Sequence, residues 1–143
     1  MWKNIIFIIF LFISCSEKPS IEGFGLLKLG MTLNEYNDLH KMNSSYTQIK
    51  EIDYPYQNIG SIQLDSKTTL KNVKLDFDSL NKLEMIAFDF EPVLYNSLKK
   101  SFGVKKILDE NMIEMLNTNS DTIFLVREKS YIVLFKIPYE GNH

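Results

Sequence analysis

Hydrophobic and polar residues alternate most cleanly from Asn72 to Asp78, where Val73, Leu75 and Phe77 share one parity and Lys74, Asp76 and Asp78 the other. A period of two over such a run predicts a half-buried β-strand. The turn Ser79-Leu80-Asn81-Lys82 and a second apolar run, Leu83 to Phe90, complete a hairpin with one wet face. In that second run Leu83 and Met85 fall on one parity and Ile86, Phe88 and Phe90 on the other, which predicts a bulge near Met85 or Ile86. Asp121 to Val126 and Tyr131 to Ile137, joined by Arg127-Glu128-Lys129-Ser130, predict a last hairpin. Both of its strands are apolar on both parities, the pattern of strands that are central or covered. Tyr46 to Ile52 and Ile59 to Asp65 are weaker strand candidates on either side of the turn-like Asp53-Tyr54-Pro55-Tyr56-Gln57-Asn58.

Helical signals sit between these runs. Thr32 followed by Glu35 forms a capping box, with Met31 and Tyr36 placed as its hydrophobic staple, so a helix is expected from Leu33 to about Lys41. Pro92 suits a first helical turn; Leu94, Tyr95, Leu98 and Phe102 follow at helical spacing, Lys99 and Lys100 fall in the last turn, and Gly103 lies just past the end. Leu108 to Leu116, with Met112 and Met115 one turn apart, predicts a further helix. The fold class is therefore α+β, an antiparallel sheet with short helices packed on one face.

The N-terminus has a different pattern: Lys3, an apolar run from Ile5 to Ile13, then Ser14 and the only cysteine, Cys15. A charged start, a short apolar core and a small residue before the cut are the parts of a secretory signal. Spanning a hydrocarbon core would take roughly 20 apolar residues, far more than this run supplies. Leu11-Phe12-Ile13-Ser14-Cys15 resembles the lipobox of bacterial lipoproteins. That resemblance implies a diacylglyceryl thioether on Cys15, which becomes the N-acylated mature N-terminus. The expected organisation is a signal peptide over residues 1–14, a lipidated cysteine and tether over 15–22, and one α+β domain over 23–143. Ser16, where an aspartate would imply retention in the inner membrane, implies by the same resemblance the periplasmic face of an outer membrane. An ordinary secreted protein cleaved nearby is the competing reading, with Cys15 left in a propeptide or as a free thiol.

Composition narrows the partners. Without Lys3, 15 Lys+Arg face 18 Asp+Glu, and Arg127 is the only arginine, so nothing favours nucleic acid. With its one cysteine used for lipid the domain has no disulfide, and 45% apolar residues are a normal supply for one core. The stretch Leu27-Lys28-Leu29-Gly30-Met31-Thr32, running into a short amphipathic helix, resembles the helix start of small outer-membrane lipoproteins of the SmpA/OmlA (BamE-like) group and of relatives of the β-lactamase inhibitor protein fold. The resemblance implies a role in protein contact, either supporting assembly of outer-membrane barrels or blocking an enzyme.

Candidate chemistry is sparse. His40 and His143 are the only histidines, and no spacing gathers carboxylates around His40, so neither metal nor cofactor is expected. Asp76 and Asp78, with Glu84 or Asp89 across the hairpin, are a carboxylate group that could do acid/base work only if burial drove their pKa values apart; alternating charge on a wet strand face is otherwise solvated. No nucleophile elbow or phosphate loop occurs, and the expectation is a protein that is not an enzyme. The features left are surfaces. Tyr54 and Tyr56 flank Pro55, a composition suited either to partner contact or to capping the core, and Pro138-Tyr139 repeats it more weakly. The Lys99-Lys100 and Lys105-Lys106 pairs suit anionic headgroups near the anchor, or else a solvated rim beside Asp109 and Glu110. The expected partners are the membrane, through acyl chains on Cys15, and an envelope protein, or a secreted hydrolase or toxin if the domain is an inhibitor.

Overall fold

The computed structural model describes residues 18–51, 56–116 and 122–137. Cys15, Tyr54, Pro138-Tyr139 and His143 lie outside them. A small hairpin, β1 (Gly23–Phe24) and β2 (Leu27–Lys28), leads into helix α1 (Leu33–Asp38) and a 3-10 turn, Leu39–Lys41. Seven strands follow, interrupted by helix α2 (Pro92–Ser101): β3 (Gln57–Gln63), β4 (Thr69–Phe77), β5 (Leu83–Asp89), β6 (Val104–Asp109), β7 (Met112–Met115), β8 (Thr122–Arg127) and β9 (Tyr131–Ile137). They form one antiparallel sheet in the order β3-β4-β5-β9-β8-β7-β6. Architecture is therefore mixed, a large antiparallel sheet with two short helices, which fits α+β in the coarse sense.

The local chemistry explains where the elements start. Thr32 Oγ1 accepts from the Glu35 amide at 3.1 Å and Glu35 Oε1 accepts from the Thr32 amide at 3.2 Å, the reciprocal cap expected for α1. The same entry is tied to the β4–β5 turn: the Gly30 amide donates to the Leu83 carbonyl, the Leu83 amide to Met31 and the Leu33 amide to Asn81. In that turn Asp78 Oδ1 accepts from the Leu80 and Lys82 amides, while Asn81 takes a left-handed conformation that asparagine tolerates. Helix α2 has Pro92 in its first turn and buries Tyr95 and Leu98.

Register sorts the sheet into two faces. Leu75, Ile86, Leu134, Leu125 and Ile113 are successive partners across five strands, all at most 3% exposed. They belong to the hydrophobic cluster that also takes Phe24, Leu27, Tyr36, Leu39, Tyr95 and Leu98 from the small hairpin, the two helices and the 3-10 turn. Edge-to-face ring pairs fasten this layer, Phe24 on Phe88 at 5.0 Å and Tyr36 on Phe77 at 6.2 Å.

Two expectations change. Leu108 to Leu116 is not a helix; it holds the end of β6, a turn and β7, with Ile107 paired to Ile113. Asp109 Oδ1 accepts from the Asn111 amide at 2.7 Å, an Asx turn that reverses the chain where a helix would continue. The described part of Tyr46 to Ile52 is not a strand either. It runs beside β3 and bonds through side chains: Asn43 Nδ2 donates to the Gln63 carbonyl, the Gln63 amide to Ser45 Oγ, and Thr47 Oγ1 to the Ile59 carbonyl. The irregularity expected near Met85 or Ile86 is present in the β4–β5 pairing. Asp76 pairs with Met85 and Phe77 with Leu83, which leaves Glu84 as the extra residue. Within the expected tether, Ile21 is fully buried and the Pro19 carbonyl accepts from the Gly103 amide at 2.9 Å.

Candidate functional site

The alternate residues of the same central strands build the opposite face. Its first row runs Lys74, Ala87, Val133, Val126, Met112 and its second Asp76, Met85, Phe135, Phe124, Glu114, each a chain of register partners. Apart from Ala87, which is buried, all of these are half-buried. None belongs to the core cluster, to which α1, α2 and the small hairpin give their buried side chains. In the middle of the face the rings of Phe124 and Phe135 lie 5.4 Å apart at a tilt of 36°.

At one corner Lys74 Nζ sits 4.8 Å from the ring centre of Tyr56 and 5.4 Å from that of Tyr131, both rings being 40% or more exposed. A cation held between two rings fixes all three side chains at modest cost in solvent. Asn72 Nδ2 donates to Asp89 Oδ2 at 2.7 Å near the same corner. Of the two tyrosines singled out in the sequence, Tyr56 thus joins this face, while Tyr54 lies outside the described residues.

The carboxylates occupy the other flank. Partial burial pushes the Asp76 carboxyl above its ordinary value, against a hydrogen bond with Glu84, and the charge of Asp78 adds to the rise. Glu84 is likewise raised, by burial first and then by the charges of Asp76 and Asp78. Partial burial is the leading cause for both groups, and repulsion between the neighbouring carboxylates adds to it. Asp89 is not part of this group; it bonds Asn72 at the other corner. Among the described residues no cluster of three or more His, Cys, Asp or Glu is arranged to hold a metal ion. His40 is exposed on the 3-10 turn, its Nδ1 3.0 Å from the Tyr46 carbonyl, a local tie and not a site.

Sequence reading missed Phe124, Phe135, Tyr131 and the bridging role of Lys74. The signal was the double-parity apolar pattern of the last hairpin: one parity fills the core, and the other had to go somewhere. No helix among the described residues is long and apolar enough to cross a membrane. Comparison of the chain with protein-family models, with curated proteins and with solved structures finds no match.

Proposed function

We propose that the chain is a lipoprotein whose lipid-modified Cys15 holds a non-catalytic protein-binding domain on a cell-envelope membrane, at the periplasmic face of an outer membrane, as an accessory to envelope assembly. In this reading the helices close one face of the sheet and the other meets the partner. The observation that carries it is the composition of that second face: Phe124, Phe135, Met85 and Val133 at its centre, a Tyr56–Lys74–Tyr131 cluster at one corner and carboxylates at its margins. Aromatic and Met side chains at the centre with charge at the rim is the anatomy of protein interfaces.

The test is site-specific photocrosslinking in living cells from Val133 and Tyr56, with Lys136 near the strand end as a comparison site. One membrane-machinery protein captured from Val133 and Tyr56, and lost in Lys74→Glu, supports the accessory reading. Capture of a soluble hydrolase or toxin supports inhibition instead, and no specific adduct from either position removes the partner face. The anchor has its own readout: Cys15→Ser should abolish fatty-acid labelling and release the domain from membranes.

A further inference from the structure

Given an anchor at Cys15, on which this inference rests, the fold decides which edge of the domain meets the lipid. Lys18 is three residue steps from Cys15, a reach of at most about 11 Å for an extended chain. Pro19 is held at one corner of the sheet: its carbonyl accepts from the amide of Gly103, and the Gly103 carbonyl accepts from the amide of Leu116. Gly103 sits between the end of α2 and the start of β6. A Cβ there would lie 2.9 Å from Leu116 Cδ2, so glycine is what lets Leu116 pack so close, and the Lys18 carbonyl passes the same point at ordinary contact distance, 3.5 Å. Acyl chains on Cys15 are therefore tied to the β6 edge, while the β3 edge is six strand spacings away, about 29 Å.

That β6 edge has the composition of a lipid-facing surface. All six residues of β6 are exposed, Ile107 by 69% and Leu108 by 43%, and Leu116 beside Gly103 by 42%. Around them stand Lys18, Lys99, Lys100, Lys105 and Lys106. Lys105 pairs with Glu114 at 3.3 Å and Lys99 lies over the Tyr95 ring. Positive charge is confined to the anchored end, since β6 finishes at Asp109 and is followed by Glu110. Strand addition is the other use of an open edge, but β6 is irregular in register at both ends and carries two lysines, features that discourage pairing. A bilayer needs no straight edge. Each lysine near an anionic surface adds to the attraction, and acyl chains joined to a basic patch bind more firmly than either alone.

We infer that the first half of β6 and the last turn of α2 form a surface that lies on anionic lipid, so the anchored domain rests on its β6 edge and not free on a leash. The test uses the full chain isolated from the membranes of producing cells and reconstituted in phosphatidylglycerol-containing vesicles with brominated acyl chains. Ile107→Trp or Met42→Trp supplies the one probe of the mature chain, and Trp2→Phe keeps any uncleaved signal from adding a second; Met42 is 69% exposed and adjoins the Asn43 that bonds β3. The expected result is loss of about half the emission from the probe at 107, little loss at 42, and release of quenching when Lys99, Lys100, Lys105 and Lys106 are changed to Gln. Intact mass reads the anchor separately. Acyl chains present with no preferential quenching at 107 overturn the surface and leave the anchor standing. Acyl chains absent with preferential quenching remove the anchor and keep the surface. A concentration-dependent dimer that shields 107 from lipid assigns the edge to strand pairing and overturns the proposal.

Discussion

Val133 and Leu134 are neighbours in β9 and point to opposite sides of the same sheet, yet their surroundings have little in common. Leu134 is fully buried in an apolar row that runs unbroken from Leu75 to Ile113. Val133 is half-buried in a row that begins with Lys74, next to one that begins with Asp76 and ends with Glu114. One apolar parity is enough to build a core against the helices. A second apolar parity, interrupted by charge and left partly in water, adds little to folding and is surface chemistry, which is why the proposed partner is placed there.

The contrast can be broken at its centre first. Leu134→Ala should cost about 2–5 kcal/mol in urea unfolding, because it leaves a cavity in a fully buried row of the core. Val133→Ala, one residue away, should cost below about 1 kcal/mol, as partly exposed positions usually do, while weakening partner capture. Equal losses at the two positions would mean that both faces are core.

Smaller changes sharpen the contrast through polar groups. Asp76 and Glu84 have folded pKa values above their ordinary ones, so their contribution to stability is fully present below about pH 4 and is lost as pH rises through the raised values. Asp76→Asn should therefore raise Tm at pH 7 by an amount worth less than about 1 kcal/mol, since the pair is largely solvated, and leave it unchanged at pH 3. An unchanged Tm at pH 7 would show that neither burial nor repulsion penalises the charged Asp76 carboxylate. The covered face has one polar flaw: the Tyr95 hydroxyl is buried without a hydrogen-bond partner among the described residues, and burial raises its pKa. Tyr95→Phe should be neutral or stabilising by up to about 1 kcal/mol in calorimetry, because it removes an unmet desolvation cost. A clear loss would mean the hydroxyl is satisfied in solution.

Local chemistry was legible where a residue's role depends on its near neighbours. The Thr32–Glu35 cap, the hairpin around Asn81 and the Pro92 start of α2 all follow from chemistry within a few positions. Leu108 to Leu116 misled because Met112 and Met115 are spaced for one helical turn, whereas in the strand they fall on opposite faces, and only the pairing of Ile113 with Leu125 selects the strand. Tyr46 to Ile49 has strand-like composition but lies beside an edge that Asn43, Ser45 and Thr47 already satisfy through side chains, so no backbone ladder forms. The open face was only half legible. Tyr56 stood out beside a proline, whereas Tyr131 and Lys74 meet it through strands distant in sequence.

Strand order also dictates when the molecule can become whole. Strands β3 to β5 form one run of hairpins and β6 to β9 another, and a single seam, β5 against β9, joins them. Across that seam Ile86 finds Leu134 almost fifty positions later, the slow, loop-closing kind of contact. A ribosome or translocation pore must therefore deliver residue 137 before the sheet can seal. Until then each half offers a bare, hydrophobic strand, β5 or β9, to whatever chain comes first. During biogenesis the centre of the finished sheet is its most vulnerable edge, and a chaperone that covers β5 would guard the step on which the rest depends.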